Sequence, residues 1–306
     1  MEKVSIIIPT RNRSSFLQRS VSHAFAQDYE NKEVIVSNNA STDNTMKILE
    51  DLKMRFSELQ VVNQDYLLDL NTHWDNVIRQ SSKGNYILLI PDDDVIIDES
   101  YITNAIRLFK QYNSIGLVFA NYYIVNSSLI RINEINAEFE EFTKKEFLFA
   151  NYNKKLFGIQ GIGIPHLTAI FSRKAYDDTG GFDFKCLSPD TYLWLKILIT
   201  YDVGFIREKV AEYLVHETNL SRTSTIEQKY SDTLIPKKIR EYMDKIGANE
   251  PYIFETLNRM ERIFYRRFHN ALINDILSGE LDTHMIKKVK CDYLLEKVFS
   301  RGNKDD

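Results

Sequence analysis

Three consecutive carboxylates, Asp92, Asp93 and Asp94, follow an apolar run, Tyr86–Ile90, with only Pro91 between. Like charges side by side repel unless a cation or water separates them. Oxygen-only ligands at a strand end suit magnesium or manganese, which complete their shells with water and substrate phosphate oxygens. A solvated acidic turn has the same composition, so the triplet alone leaves both readings open. Two other polar clusters, Thr10–Arg13 and Asn38–Asp43, also close short apolar runs. Cys186 and Cys291 lie in no metal or redox motif, and Cys186 reads as a small buried residue. Apart from His216, the histidines show no ligand-like spacing.

The elements that must position these groups are legible from periodicity. Val4–Ile8 is continuously apolar and closed by Pro9, as in a strand buried on both faces. Ser14 or Ser15 is placed to cap a helix carrying Leu17, Val21, Ala24 and Phe25. Val34–Val36 is the second strand, after which Thr42 or Asp43 can cap a helix with Met46, Leu49 and Leu52. A strand over Leu59–Val62, a helix over His73–Ser81, the strand Tyr86–Ile90, a helix through Ile102–Phe109 and a strand over Ile115–Ala120 follow. This alternation predicts an α/β fold with a mostly parallel, doubly wound sheet. Such sheets bind ligands outside the carboxyl ends of their strands, where all three polar clusters fall.

Beyond Asn121 the pattern weakens. Gly158–Pro165 reads as a flexible loop or site wall, Leu167–Ser172 as a strand, Gly180–Phe182 as a turn and Thr191–Tyr201 as a helix. After Tyr230 the pattern is helical only. Met260, Ile263, Phe264, Phe268, Ala271, Leu272 and Ile276 form an apolar stripe, with Arg259, Arg262, Arg266 and Arg267 mostly on other faces. This is an amphipathic helix packed on its own domain or on a second copy of the chain; peripheral membrane contact is the sharper alternative.

The 306 residues are 43% hydrophobic and 27% charged, as in soluble globular proteins of one large domain or one domain with an appendage. A net charge of -4 supplies no field to recruit nucleic acid. No apolar run reaches the roughly 20 residues of a membrane span, and the N-terminal apolar run is too short for a signal peptide. The cysteine usage adds a reducing compartment, so the expected location is cytoplasmic, with the inner face of the membrane as the place of any peripheral contact.

Three segments carry a resemblance: Val4–Arg13, Val34–Asp43 and Gly84–Asp94. In order and spacing they are similar to glycosyltransferase family 2, of GT-A fold, most strongly over Lys3–Asp98 and onward to Ser221. The resemblance implies an inverting transfer of sugar from a nucleoside-diphosphate donor, UDP-linked, to a hydroxyl of a saccharide or lipid-linked saccharide. Bacterial surface-polysaccharide assembly is the implied setting, with manganese or magnesium as cofactor. It also implies a catalytic domain over about 1–225, divided near 120 into nucleotide-sugar and acceptor halves, and a helical region over 226–306.

Carried over by position, Pro9, Thr10, Arg11 and Arg13 lie on the nucleotide loop, where a helix N-terminus favours phosphate. Asn38 and Asn39 stand where most relatives have aspartates that grip the base. Asp92 matches the ribose ligand and Asp93 the metal ligand, with Asp94 an alternative metal ligand; Pro91 replaces the first aspartate of many members. Asn76 matches an asparagine near the donor. Asp190, in Ser188-Pro-Asp190 after Gly180-Gly-Phe-Asp183, matches the general base, and Pro189 removes the acidic neighbour that many members have there. His216 resembles the late histidine of the metal or diphosphate site, and Arg222 trails it toward the diphosphate. Asp43 and Asp190 also have plain readings as helix caps. A nucleotidyltransferase would need a glycine-rich basic loop that Pro9–Arg13 lacks; a catalytically silent sugar-nucleotide binder would turn Asp190 away from the acidic cluster.

Overall fold

The computed structural model of the protein describes residues 2–146 and 164–277. β1 (Val4–Thr10) lies between β2 (Lys32–Asn38) and β4 (Tyr86–Leu89), parallel to both, and β3 (Gln60–Asn63) adds a parallel edge beside β2. All seven residues of β1 are buried because both faces of the sheet are covered. Side-chain alternation sends Val4, Ile6 and Ile8 to one face and Ile7 to the other. The first face packs on α1 (Ser14–Ala26), α2 (Thr45–Arg55) and α4 (Tyr101–Gln111) through Leu17, Val21, Leu49 and Ile102. The second packs on α3 (Leu70–Asn76), α5 (Arg173–Asp178) and α6 (Pro189–Thr200) through Trp74, Tyr176 and Trp194.

The remaining strands are β5 (Val95–Ile96), β6 (Ile115–Val125), β7 (Arg131–Ile135), β8 (Phe142–Thr143), β9 (Ile170–Ser172) and β10 (Asp202–Leu214). The sheet runs β3-β2-β1-β4-β9-β6-β10-β5. β9 enters antiparallel to both β4 and β6, so a mixed sheet joins the parallel N-terminal group to the parallel pair β6–β10. β6 continues five residues beyond the expected Ala120 because β10 accompanies it across two bulges.

Helix starts depart from local expectation. The N-cap of α1 is Arg13, with no side-chain cap, and neither serine serves. Instead Asp43 accepts from Ser14 N at 3.3 Å through Oδ2 and from Thr45 N at 3.0 Å through Oδ1. One carboxylate therefore satisfies orphan amides of two helices, lowering its own pKa against the opposing effect of burial. The third helix starts early, at Leu70, because Asp69 accepts from Thr72 N at 3.0 Å, and it loosens into a π turn over Val77–Ser81.

The C-terminal helices are α7 (Leu220–Thr223), α8 (Ile226–Thr233), α9 (Ile235–Ile246) and α10 (Pro251–Leu277). Ile235, Ile239, Met243, Leu257, Met260 and Phe264 belong to the same buried cluster as Trp194 and Phe205 of the sheet domain. Phe268 packs with Ile226 and Tyr230. The stripe thus lies on its own domain, with Arg262, Arg266 and Arg267 exposed. The side chain of Ile276, Cys291 and most of Gly158–Pro165 lie outside the described residues. Among the described residues no helix is long and apolar enough to cross a membrane.

Candidate active site

The loops after β1 and β2 are stitched to each other at the carboxyl edge of the sheet. Asn39 N donates to Thr10 O at 2.9 Å, Asn12 N to Ser41 Oγ at 2.9 Å, and Thr42 N to Asn12 Oδ1 at 2.8 Å. Asn12 and Ala40 take left-handed backbone, φ +52° and +51°, which for alanine costs roughly 1–2 kcal/mol and persists only where neighbours enforce it. Pro9 and Thr10 are buried in this edge and Arg11 is exposed.

Both asparagines of the second loop are engaged within the protein. The Asn38 Oδ1 accepts from Ser41 N at 3.2 Å, and its Nδ2 donates to Asn63 Oδ1 at 3.2 Å. The Asn39 amide pairs with the Leu68 peptide in both directions, donating to Leu68 O and accepting from Leu68 N, each at 2.9 Å. A carboxylate could accept but not donate there.

The acidic triplet divides among three environments. Asp92 accepts from Thr10 Oγ1 at 2.7 Å and from Arg13 Nη1 at 3.3 Å. Burial pushes its pKa up to about 7, with Arg13 opposing the rise and Asp93 adding to it. Asp93 Oδ2 is the convergence point: Arg13 Nη1 reaches it at 2.6 Å, His216 Nε2 at 2.8 Å and Asn219 Nδ2 at 3.4 Å. Asp94 turns away to accept from Leu214 N at 2.9 Å; burial, then the charge of Asp93, raises its pKa well above the usual carboxylate range. For Arg13, burial works downward but the charges of Asp92 and Asp93 prevail and raise its pKa. Its Nη2 also donates to Thr218 O at 2.7 Å, tying the β1 loop to the segment after β10.

The residues fit a divalent ion at one place. Among the described residues no three His, Cys, Asp or Glu side chains converge on a preformed metal centre. Asp93 Oδ2 and His216 Nε2, however, stand 2.8 Å apart. Adjacent ligands on an octahedral magnesium or manganese ion lie about 3 Å apart, and such ions take their other ligands from phosphate and water. The imidazole is held in place: Phe16 lies 4.9 Å from its ring centroid, Thr218 Oγ1 is 2.9 Å from Nδ1, and Asn219 Oδ1 accepts from the His216 backbone N at 2.6 Å. The Arg13 guanidinium supplies positive charge beside the same oxygen.

Asp190 sits in the first turn of α6, half-buried, one residue inside the Pro189 start, so it is not the helix cap; Ser188 is. Among the described residues no donor reaches its carboxylate. Burial lowers the pKa of the His166 imidazole, with the charges of Asp190 and Asp93 opposing that effect. That ring lies 4.7 Å from Trp74, and its Nε2 is sealed from solvent with no hydrogen-bond partner among the described residues. Spacing did not single out His166, because its ring partner Trp74 comes from α3, far away in sequence.

Three other residues escaped the sequence reading. Thr218 and Asn219 sit within the His216 segment and hold its ring and backbone. The third, Asp232 on α8, bonds Ser188 at the start of α6, and Asp190 is among the charges raising its pKa to about 6, after burial as the main cause. Asp232 thus brings a carboxylate from a different helix to the residue before Pro189. Asn76 ends α3, half-buried, and no described contact joins it to the carboxylates. Arg222 lies in α7, with its side chain outside the described residues.

Residues 5–180 match the family described as Glycosyl transferase family 2. A relative in Escherichia coli, the UDP-Glc:alpha-D-GlcNAc-diphosphoundecaprenol beta-1,3-glucosyltransferase WfgD, is 27% identical over 95% of this chain and 96% of its own length. Among solved structures, S. aureus TarS 1-349 in complex with UDP-GlcNAc superposes with a TM-score of 0.64 at 16% identity, covering 87% of this chain and 72% of that one. The mannosyltransferase PcManGT from Pyrobaculum calidifontis, in complex with GDP-Man and Mn2+, gives 0.57 at 13% identity, covering 100% and 88%.

Proposed function

The chain belongs to glycosyl transferase family 2, and from that premise we propose that it moves a sugar from a UDP-linked donor to a hydroxyl of a lipid-linked saccharide, with inversion. The observation that carries this reading is the meeting of Arg13, Asp92, Asp93 and His216 at the carboxyl edge of the sheet, from loops far apart in sequence. Pro9, Thr10 and Arg11, with Asn38, Asn39 and Asn76, border the donor's nucleotide, and Asp92 takes a ribose hydroxyl. Arg13 and Arg222 balance the diphosphate. Asp93 and His216 would hold a manganese or magnesium ion, with Asp94 behind them; when bound, it supplies positive charge to the leaving diphosphate.

Asp190 accepts the acceptor's hydroxyl proton as that oxygen forms its bond to the anomeric carbon. The bond from that carbon to the diphosphate breaks on the opposite side, and the nucleoside diphosphate leaves with the electron pair, so the configuration inverts. The E. coli relative is named for UDP-glucose and a diphosphoundecaprenol-linked acceptor, which supports the donor and acceptor classes assigned here and work at the inner membrane face.

The test is release of UDP from a panel of UDP-sugars, with saccharide-diphospholipid acceptors, with manganese and with chelator. Acceptor-dependent release that chelation removes is expected. Absence of both UDP binding and release for every donor would overturn the reading.

A further inference from the structure

Asp190 receives no hydrogen bond from any described residue, so the direction of its carboxylate is set by the backbone of the first turn of α6. That turn is not fixed by its own residues. Ser188 is the N-cap but its hydroxyl makes no cap bond to α6. It points outward instead: Ser188 Oγ donates to Asp232 Oδ2 at 2.7 Å and Ser188 N to Asp232 Oδ1 at 2.9 Å. The preceding peptide joins the same clamp, with Leu187 N donating to Ser231 Oγ at 3.0 Å. Upstream, Asn71 of α3 donates to Phe184 O at 2.7 Å, so the loop entering α6 is held at both ends.

The clamp is itself braced. α8 opens with a capping box, in which Gln228 N donates to Thr225 Oγ1 and Thr225 N to Gln228 Oε1. Ile226 and Tyr230 pin the helix to Phe268 of α10, with the Tyr230 and Phe268 rings 5.4 Å apart. Asp232 is only 8% exposed. A carboxylate is costly to bury; Ser188 compensates this one through its hydroxyl and its backbone N, and the Leu187 backbone also favours its charged form. A serine hydroxyl turned back onto α6 would cap the helix at lower cost. What the remote carboxylate adds is a rigid tie between the C-terminal helices and the turn that carries Asp190.

We propose that Asp232 is a positioning residue for the transfer step: by bonding both polar groups of Ser188 it fixes the first turn of α6 and so aims the Asp190 carboxylate at the acceptor hydroxyl. This rests on the reading of Asp190 as the base. The C-terminal helices are then part of the catalytic apparatus.

The experiment is a double-mutant cycle in the full chain, reading kcat and the KM values for donor and acceptor, with thermal unfolding as a control for folding. Asp232→Ala lowers kcat by tenfold or more with donor KM within twofold of the wild type. Asp232→Asn recovers most of the rate, since its amide oxygen still accepts from Ser188 N and its NH2 pairs with the hydroxyl oxygen. In an Asp190→Asn background, Asp232→Ala costs little further, because it acts through that carboxylate. Should Asp232→Ala not fold, Ser188→Ala runs the same cycle. An unchanged kcat in folded Asp232→Ala, or an equal loss with and without Asp190, overturns the proposal. Full transfer by Asp190→Asn alone would instead overturn the base assignment on which it rests.

Discussion

Replacing Asn39 by aspartate should weaken this protein in a pH-dependent way. The Asn39 amide donates to Leu68 O and accepts from Leu68 N, each at 2.9 Å, and the residue is 6% exposed. In the Asn39→Asp variant an ionised side chain would keep the second bond, lose the first and set a carboxylate oxygen against a carbonyl. One lost hydrogen bond and one stranded buried carbonyl together cost about 2–3 kcal/mol. A protonated carboxyl could donate to that carbonyl, so the folded state favours the neutral acid. At about 1.4 kcal/mol per pKa unit, the new carboxyl would titrate near 6 in the folded chain against about 3.9 unfolded. The folded pKa is the higher, so the penalty is full above about pH 7, shrinks to roughly half by pH 5 and is gone below about pH 4. Thermal unfolding of wild type and Asn39→Asp at pH 8, 7, 6 and 5 reads this directly. With about 2–4 °C per kcal/mol in chains of this order of size, the Tm gap at pH 8 is about 4–12 °C. No gap at pH 8, or a gap that stays constant to pH 5, would refute the amide-pairing argument.

Asp93→Ala should abolish manganese-stimulated donor turnover with the Tm little changed; near-normal turnover under chelation would show that Asp93 and His216 hold no ion. Asp190→Asn should leave UDP affinity intact, measured by calorimetry, while transfer falls by roughly 10²–10⁴. A loss of UDP affinity with normal transfer at saturation would give Asp190 a binding role instead. His166→Ala removes an imidazole packed on Trp74 and should lower kcat more than donor KM; a purely KM effect would place it on the donor. Phe264→Ser with Phe268→Ser should destabilise the fold by several kcal/mol in denaturant, because both rings are buried in the chain's own core. A fully stable double variant that no longer co-sediments with anionic vesicles would assign the stripe to lipid.

Much of the site was readable as chemistry before it was readable as geometry. The apolar runs that became β1, β2 and β4 placed Thr10–Arg13, Asn38–Asp43 and Asp92–Asp94 at one edge, since strands buried on both faces must end in polar turns. What each residue does at that edge was less legible. Asn38 and Asn39, carried over as base ligands, also bond Ser41, Asn63 and Leu68 within the protein, partners that no motif indicates. Asp94, the third of three identical neighbours, bonds a strand 120 residues away. His166 and Asp232 carried no local signal at all.

By itself the amino-acid sequence determined the α/β alternation, the edge on which the polar loops gather, and the family, because hydrophobic period and short motifs are encoded over a few neighbouring residues. The tertiary structure alone decided that β9 inserts antiparallel between β4 and β6, that Asp43 serves two helices, that His216 meets Asp93 across 123 positions and that Asp232 grips Ser188 across 44. Periodicity specifies which face of an element is buried but not which distant element covers it. Partners of that kind are chosen by how whole faces pack together, and a carboxylate finds its donor only after that packing has formed.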